Sequence, residues 1–289
     1  MTSPSHFSHT FSSFAKLNLA LQVFSPESNG YHPIRSIFQQ ISLHDNLFID
    51  TTKSTQPQLK LSADGISMPT DESNILYSIF NHYKPRLSYD YTIHISKNIP
   101  MGSGMGGASS NAAVFLKFIN SIESFNFSTA DLIKEALQFG ADVPFFINGG
   151  KQYISGKQDQ LTPLTVDTQQ TYFIIIYPQF MSSTRAIFTH FDAMFPDKPF
   201  TDSQDLTEGI NDLLAVTLDY YPELKRIHTD LTTISNQTVC MTGSGSTFYI
   251  PQQLKTEANR ICEILKKSFP SFFIDVVHNI GFNSKFNLQ

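Results

Sequence analysis

The chain has 289 residues, of which 40% are hydrophobic and 16% are charged, with a formal net charge of −5. This length predicts two modest domains or one large domain, and the apolar content is enough for a substantial core. So small a charged fraction excludes a disordered chain held open by charge, and the acidic balance argues against broad nucleic-acid binding. Two cysteines, Cys240 and Cys262, are too few for a disulfide framework, so we expect a reducing, cytoplasmic setting.

Neither the N-terminal region nor the apolar runs predict a membrane segment. The first 14 residues lack the basic start and the long apolar stretch of a signal peptide, and we expect them to form a frayed leader. The most apolar run, at residues 172–177, is far shorter than the roughly 20 residues of a membrane span. It therefore predicts a buried strand.

The pattern of the first 80 residues predicts several antiparallel strands joined by hairpins. The predicted strands of this part lie at residues 14–21, 34–43, 47–50 and 59–61. In the first of them, leucines alternate with polar residues, which places Lys16 and Asn18 side by side on the polar face. Asn74 then provides a polar start for a helix.

The middle of the chain alternates strand and helix patterns. Clean alternation predicts a strand at residues 91–95, a glycine-rich loop fills residues 100–110, and helical spacing of apolar residues follows over 112–122. Ser128 opens a second helix with a capping box, and Gly140 is placed to end it.

The last part of the chain predicts a second group of strands and helices. Its predicted elements are strands at 172–177, 239–241, 247–250 and 271–277, a surface loop at 195–205, a glycine turn at 242–246 and a helix at 254–269. The whole pattern predicts an α+β fold, with one domain at residues 1–155 and a second at 156–289.

The glycine-rich loop predicts a phosphate site. Gly102, Gly104 and Gly107 lie between a predicted strand and a predicted helix, so backbone N–H groups can approach an anion without clashes from side chains. The helix start adds free donors and a partial positive charge. Ser109 and Ser110 add hydroxyl groups there, one of them a candidate Mg²⁺ ligand.

Two common phosphate loops fit this segment poorly. A Walker A loop requires a lysine that is absent here. The dinucleotide fingerprint matches the glycines, but it also requires an acidic residue about 20 positions on, at the end of a second strand. Glu123 has nearly that spacing but follows a predicted helix. A dinucleotide oxidoreductase is therefore a poor second interpretation.

Several segments, in chain order, resemble motifs of the GHMP kinases. They are Ala-Lys-Leu-Asn-Leu at 15–19, Asn-Gly-Tyr-His at 29–32 with Ile-Phe-Gln at 37–39, the glycine loop at 100–110, Gly-Ala-Asp-Val-Pro at 140–144, Ser-Thr-Arg-Ala-Ile-Phe at 183–188, and Thr-Gly-Ser-Gly-Ser at 242–246. The resemblance covers most of the chain. The Gly-Tyr-His and Gly-Ala-Asp-Val-Pro segments together are similar to one branch of that family, whose substrate is a cytidine diphosphate-linked methylerythritol.

The resemblance implies a two-domain GHMP-kinase-like fold and a kinase activity. It implies an N-terminal ATP domain with a mixed sheet and a C-terminal domain with an antiparallel sheet and helices. It also implies ATP- and Mg²⁺-dependent phosphorylation of the 2-hydroxyl of the cytidylated methylerythritol, in isoprenoid biosynthesis outside the mevalonate route. Asn29, Arg185 and Ser246 depart from the family's usual residues, which affects the expected fine shape of the substrate pocket.

The resemblance assigns roles to individual residues. It implies Asp142 as catalytic base, Lys16 as its electrostatic partner, and Asn18 on the same strand face as a substrate contact. The implied ATP-binding residues are Pro100, Met101, Gly102, Ser103, Gly104, Met105, Gly106, Gly107, Ala108, Ser109 and Ser110. The implied substrate contacts are Tyr31 and His32 for the cytidine, Thr184 for the methylerythritol, and Gly243, Ser244 and Gly245 in the second glycine turn.

The residues alone leave plainer interpretations open. From spacing, Asp142 is a surface-turn residue before a proline, and Lys16 is a solvated lysine on an edge strand. Without the resemblance, Tyr31 is a partly buried loop aromatic and His32 a core histidine with its hydrogen bonds satisfied. A kinase for another small alcohol, such as homoserine or mevalonate, and a non-catalytic nucleotide-binding module are the competing functions.

Overall fold

The computed structural model describes residues 8–156, 158–164, 170–201 and 205–282, and they form two sheets with eight α-helices. The six strands of the first sheet are β1 (His9–Val23), β2 (Ile34–Lys53), β3 (Leu59–Gly65), β4 (Tyr89–Lys97), β5 (Lys151–Gly156) and β6 (Gln160–Pro163). Their order is β3-β4-β2-β5-β6, with β1 also paired to β2. Only β3 and β4 run parallel, so this sheet is mixed, as predicted.

The second sheet is wholly antiparallel. Its strands are β7 (Tyr172–Tyr177), β8 (Cys240–Met241), β9 (Phe248–Gln252) and β10 (Phe273–His278). They lie in the order β10-β7-β9-β8. The predicted α+β class, with a mixed first sheet and an antiparallel second sheet, is therefore confirmed. The division into domains at residues 155 and 156 stays a prediction.

The helices lie between and after the strands. They are α1 (Ile75–Tyr83), α2 (Gly107–Ile122), α3 (Thr129–Leu137), α4 (Val143–Asn148), α5 (Thr184–Met194), α6 (Asp212–Tyr220), α7 (Pro222–Ser235) and α8 (Lys255–Ser268), and a 3₁₀ turn spans Lys84–Arg86. In the described ranges, no helix is both long and apolar enough to cross a bilayer.

Local sequence signals explain where several helices begin. Asn74 caps α1 by accepting a hydrogen bond from the backbone N–H of Leu76. Ser128 and Asp131 form the predicted capping box at the start of α3. These short polar side chains satisfy N–H groups that have no acceptor within the helix.

The first two strands are longer than predicted. β1 begins at His9, so the prediction of a frayed leader is wrong for residues 9–14, while residues 1–7 lie outside the described part. The reason is pairing: His9 to Ser13 lie opposite Ile49 to Asp45 of β2. β2 itself is one strand of 20 residues, where the sequence predicted two pieces.

The alternation of apolar and polar residues does not predict the full length of these two strands, for two reasons. The polar side chain of Ser13 is fully buried, where its hydroxyl donates to Ser110 at 2.7 Å. Residues 44–46 of β2 are all polar, yet they stay in the strand because β1 pairs with them. Tertiary pairing thus overrides local composition.

Apolar side chains form a separate core around each sheet. The apolar face of α2 packs on the first sheet through Phe115, Leu116 and Ile119, which are all buried, as the spacing predicted. A second core joins β7 and β9 with helices α5 to α8. The end of β1 also contributes to this second core, so β1 reaches from one sheet to the other.

Candidate active site

A cleft of about 320 Å³ opens where the two sheets approach each other. Side chains of β1 and β2 line one wall, the glycine loop lines another, and the N-terminal ends of α4 and α5 close the sides. Gly243 and Ser244 of the second glycine turn reach it from the second sheet. Segments far apart in the sequence therefore meet in one cavity.

The glycine loop connects β4 to α2 with a backbone that side chains would obstruct. Gly102, Gly104 and Gly106 all have positive φ, at 64°, 76° and 73°. A Cβ atom on Gly104 would lie 3.1 Å from the carbonyl oxygen of Gly245, and one on Gly106 would lie 2.8 Å from the ring of Phe146. At Gly104 and Gly106, glycine is therefore favoured both by the positive φ and by the lack of space for a side chain.

The start of α2 faces the cleft as an anion site. Gly107, Ala108 and Ser109 of its first turn line the cavity. The N–H groups at the start of a helix have no acceptor within the helix, and the helix dipole favours negative charge there. This end of the cleft can therefore hold a phosphate group.

Two residues of the predicted loop turn away from the cleft. The side chain of Met105 is fully buried in the apolar layer between the sheets, while its carbonyl oxygen accepts from the N–H of Lys16 at 2.9 Å. Ser110 is buried behind the loop, where it accepts from the hydroxyl of Ser13. The candidate hydroxyl ligand for Mg²⁺ on this turn is thus Ser109 rather than Ser110.

Lys16 and Asp142 meet in the cleft. The ammonium Nζ of Lys16 lies 3.4 Å from Oδ2 of Asp142, and their side chains are 4% and 29% exposed. The ammonium also lies 4.7 Å above the ring of Phe38 and donates to Oδ1 of Asn18 at 2.7 Å. Lys16 is therefore buried at the cleft wall and is not a solvated edge-strand lysine.

Asp142 occupies the N-cap position of the short helix α4, which the sequence did not predict. Its side chain makes no capping hydrogen bond. The carboxylate is instead turned into the cleft, at a helix start where negative charge is favoured. It can accept a proton from a group bound there.

Asn18 forms part of a hydrogen-bond network that holds Lys16. Its Oδ1 accepts from Lys16 and from the hydroxyl of Thr242 at 3.0 Å, and its Nδ2 donates to Ser36 at 3.1 Å. The backbone N–H of Asn18 donates to the same hydroxyl of Thr242. Asn18 lines the cleft, but its predicted contact with substrate stays a prediction.

Tyr31 and His32 lie next to residues of the cleft wall. The ring of His32 packs against Phe188, with centroids 4.9 Å apart, and its Nδ1 donates to the carbonyl oxygen of Phe24. The hydroxyl of Tyr31 lies 3.4 Å from the amide of Gln158. Phe188 and Gln158 line the cleft, whereas Tyr31 and His32 contact them but do not themselves line the cavity. We call the part of the cleft at Phe188 its aromatic end.

The phenol of Tyr31 is held neutral. Burial raises its pKa, and the charge of Asp142 adds to that effect. A neutral phenol keeps its proton and remains a hydrogen-bond donor at physiological pH.

Thr184 and the second glycine turn meet across the cleft mouth. The hydroxyl of Thr184, at the first position of α5, lies 2.9 Å from the hydroxyl of Ser244. Gly243 lines the cavity beside them, whereas Gly245 lies behind it, against Met241 and facing Gly104. The structure thus brings Thr184, Gly243 and Ser244 to the cleft and leaves Gly245 as a packing contact between the two turns.

A buried ion pair that the sequence did not predict lies behind the glycine loop. Lys97 donates to both oxygens of Asp45, at 2.8 and 3.1 Å, and to the carbonyl oxygen of Ile99. Asp45 is fully buried and also accepts from the N–H groups of Asn98 and Ile99. Burial lowers the pKa of Lys97, and the charge of Asp45 opposes that shift.

This pair fixes the entry to the glycine loop. The ammonium of Lys97 lies 3.0 Å from where a Cβ on Gly107 would be, directly behind the start of α2. The alternation of β4 contained the signal, because Tyr91, Ile93, Ile95 and Lys97 share its buried face. Phe188, another cleft residue without a predicted role, ends the segment at 183–188 that resembles a family motif, whereas Gln158 carried no comparable signal.

Comparisons with known proteins agree with one family. A family model of the GHMP kinases N terminal domain matches residues 74–150. A 4-diphosphocytidyl-2-C-methyl-D-erythritol kinase of Persephonella marina is 32% identical over 262 residues, which cover 86% of this chain and 93% of that protein. The protein of the same name from Protochlamydia amoebophila is 32% identical over 283 residues, covering 94% and 92%.

Solved structures share the fold. A crystal structure of 4-(cytidine 5'-diphospho)-2C-methyl-D-erythritol kinase matches with a TM-score of 0.73 at 24% identity, covering 94% of this chain and 100% of that chain. The homoserine kinase of Cytophaga hutchinsonii matches with a TM-score of 0.65 at 15% identity, covering 94% of each chain. The two-sheet architecture is thus common to kinases that act on different alcohols.

Proposed function

The chain belongs to the 4-diphosphocytidyl-2-C-methyl-D-erythritol kinase family of the GHMP kinases, and from this premise we propose its reaction and the roles of its residues. The protein transfers the γ-phosphate of ATP to the 2-hydroxyl of 4-(cytidine 5'-diphospho)-2-C-methyl-D-erythritol. The products are the 2-phosphate and ADP, in isoprenoid biosynthesis outside the mevalonate route.

One observation carries the proposal. The ion pair of Lys16 and Asp142, 3.4 Å between Nζ and Oδ2, shares a cleft with the glycine loop that opens α2. Phosphoryl transfer requires a hydroxyl group held in line with a phosphate and a place for the negative charge that develops. A carboxylate, an ammonium group and a helix start in one cavity meet both requirements.

Asp142 acts as the base in this proposal. Its carboxylate accepts the proton of the 2-hydroxyl as the oxygen attacks the γ-phosphorus. Lys16 contributes electrostatically: its ammonium stabilises the carboxylate and offsets charge on the transferring phosphoryl group. Asn18 keeps Lys16 in place through its 2.7 Å hydrogen bond.

Residues 100–110 hold the triphosphate of ATP. The backbone N–H groups of the loop and of the first turn of α2 bind phosphate oxygens, and Ser109 adds a hydroxyl group. Among the described lining residues the cleft offers one carboxylate, that of Asp142, which is the base in this proposal, so a Mg²⁺ ion here would be held mainly by the phosphates, with Ser109 as a hydroxyl ligand. Bound Mg²⁺ supplies neutralisation of the phosphate charge.

The aromatic end of the cleft takes the cytidine. Tyr31, His32 and Phe188 offer ring faces and polar edges suited to stacking and hydrogen bonding with a base. In this proposal Thr184, Gly243 and Ser244 contact the methylerythritol part of the substrate, whereas Gly245 only packs behind them. We further propose that the protein acts in the cytoplasm, consistent with two buried, free cysteines.

An assay with a panel of acceptors tests this function. Purified protein with Mg-ATP is given the cytidylated methylerythritol, mevalonate or homoserine, and ADP release is measured against a reaction without acceptor. We expect release well above background only with the cytidylated compound. Faster release with mevalonate or homoserine would make it a kinase for that alcohol, and nucleotide binding without release would make it a non-catalytic module.

A further inference from the structure

Gln158 occupies an unusual backbone position beside the cleft. It lies in the turn that joins β5 to β6, and its φ is +64°, in the left-handed region that favours glycine. Its side chain nevertheless lines the cleft. Because four other residues besides glycine share this conformation among the described residues, it is the contacts of the Gln158 side chain in the cleft that point to a role.

The side chain of Gln158 joins two residues of the proposed machinery. With its amide turned to satisfy its neighbours, Nε2 donates to Oδ1 of Asp142 at 2.7 Å and to the carbonyl oxygen of Ala141 at 3.2 Å. The amide oxygen then faces the hydroxyl of Tyr31, at a distance of 3.4 Å. The neutral phenol can donate to it.

The two oxygens of Asp142 consequently have different neighbours. Oδ1 accepts from Gln158, while Oδ2 faces the ammonium of Lys16. A carboxylate held through one oxygen cannot rotate freely, so the other oxygen is kept in a fixed direction. This matters for a base that must meet a hydroxyl group in one geometry.

We propose that Gln158 is a positioning residue that orients the carboxylate of Asp142 and links it to Tyr31 at the cytidine end of the cleft. The inference rests on the proposed function, in which Asp142 is the base and Tyr31 contacts the nucleotide. It adds a residue outside the motifs that identified the family. It also gives the base a direct connection to the part of the cleft that recognises the substrate.

The substitution Gln158→Gly tests this role without adding backbone strain, since glycine accepts the positive φ. We expect kcat for the cytidylated substrate to fall about 10-fold, as for loss of one hydrogen bond to a charged group. The KM for ATP should stay unchanged. Gln179→Gly is the matched control, because Gln179 also has positive φ, at 56°, but is exposed; its kcat should equal that of wild type.

A double substitution separates action through Asp142 from a general structural effect. In the Asp142→Asn background, Gln158→Gly should change the residual kcat by less than about 2-fold, because the group it orients no longer acts as a base. An equal 10-fold loss in both backgrounds would overturn the proposal.

The pH profile gives a second readout. Gln158→Glu puts a carboxylate against Oδ1 of Asp142, whose other charged or titratable neighbours are Lys16 on β1 and Tyr31 before β2. Asp159, in the same turn as Gln158, acts on Tyr31. Two carboxylates in contact retain a proton to higher pH. We expect the acidic limb of the kcat profile to move to higher pH in this variant and to stay in place in Gln179→Glu.

These outcomes distinguish the inference from the proposed function. If wild-type protein releases no ADP with the cytidylated substrate, the proposed function fails first. If wild type is active, and Gln158→Gly and Gln158→Glu both keep wild-type kcat and pH profile, the function stands and the role of Gln158 is wrong.

Discussion

Asp142 is the residue on which the chemistry of the cleft depends. Asp142 is the N-cap residue of α4, but its carboxylate makes no capping hydrogen bond. One carboxylate oxygen faces Lys16, and the side chain is partly exposed, so a substrate hydroxyl group can reach it. Because the side chain contributes little to packing, the role of its charge can be tested without unfolding the protein.

We expect Asp142→Asn to lower kcat by about 10²–10⁴, the usual range for loss of a general base, with the KM for ATP nearly unchanged. Steady-state kinetics on folded protein measure both constants. Asp230→Asn, on the exposed face of α7, is the matched control. Turnover close to wild type in Asp142→Asn would end the assignment of the base.

Lys16 should affect turnover more than nucleotide binding. Replacing it with methionine, which fills a similar volume, removes the ammonium that faces Asp142 and leaves the packing on Phe38 largely in place. We expect kcat to fall by a larger factor than the KM for ATP rises. Lys225→Met, at an exposed position of α7, should behave as wild type. An unchanged kcat in Lys16→Met would show that this buried charge serves stability alone.

Tyr31 tests the cytidine end of the cleft. Stacking of a base on an aromatic ring contributes about 1–3 kcal/mol, so Tyr31→Ala should raise the KM for the cytidylated substrate by roughly 5- to 150-fold. The KM for ATP should change little, because residues 100–110 lie elsewhere in the cleft. A similar rise in both KM values would argue against a cytidine site at Tyr31.

At the scale of elements, the buried pair of Asp45 and Lys97 connects β2, β4 and the start of α2. It fixes the segment that leads into the glycine loop, because Asp45 also accepts two backbone N–H groups of that segment. Removing one partner of a buried ion pair leaves an uncompensated charge in a poorly solvated place. A substitution that removes either partner should therefore lower the stability of the fold and also displace the glycine loop.

We expect Asp45→Asn to lower the free energy of unfolding by about 3–5 kcal/mol, the range for breaking a buried ion pair from one side. Urea denaturation followed by circular dichroism measures it. Asp275→Asn, at an exposed position of β10, should change the free energy by less than about 0.5 kcal/mol. A loss of that small size in Asp45→Asn would contradict the structural role of the pair.

Elements with strong local signals were predictable from the sequence. The apolar spacing of α2, the capping box of α3 and the glycine positions of the loop are local patterns, and the structure contains all three. The length of β2 and the existence of α4 were not predictable, because pairing with β1 and packing against α2 and α3 decide them.

At the scale of the whole molecule, the cleft exists because β1 reaches both sheets. Its middle carries Lys16 and Asn18, and Asn18 bonds to Thr242, which is 224 positions away in the chain. Motif resemblance anticipated that the segments around residues 16, 142 and 243 belong to one site. It did not anticipate Gln158 or the pair of Asp45 and Lys97, since their partners are fixed by tertiary contacts rather than by spacing.

A crystal structure with a non-hydrolysable ATP analogue and the cytidylated methylerythritol tests the central claim most directly. We expect the triphosphate on residues 100–110, the 2-hydroxyl oxygen about 3–3.5 Å from the γ-phosphorus, and the same oxygen within about 2.6–3.2 Å of the carboxylate of Asp142. A complex with the triphosphate bound outside the cleft, or with the 2-hydroxyl facing away from Asp142, would contradict the account.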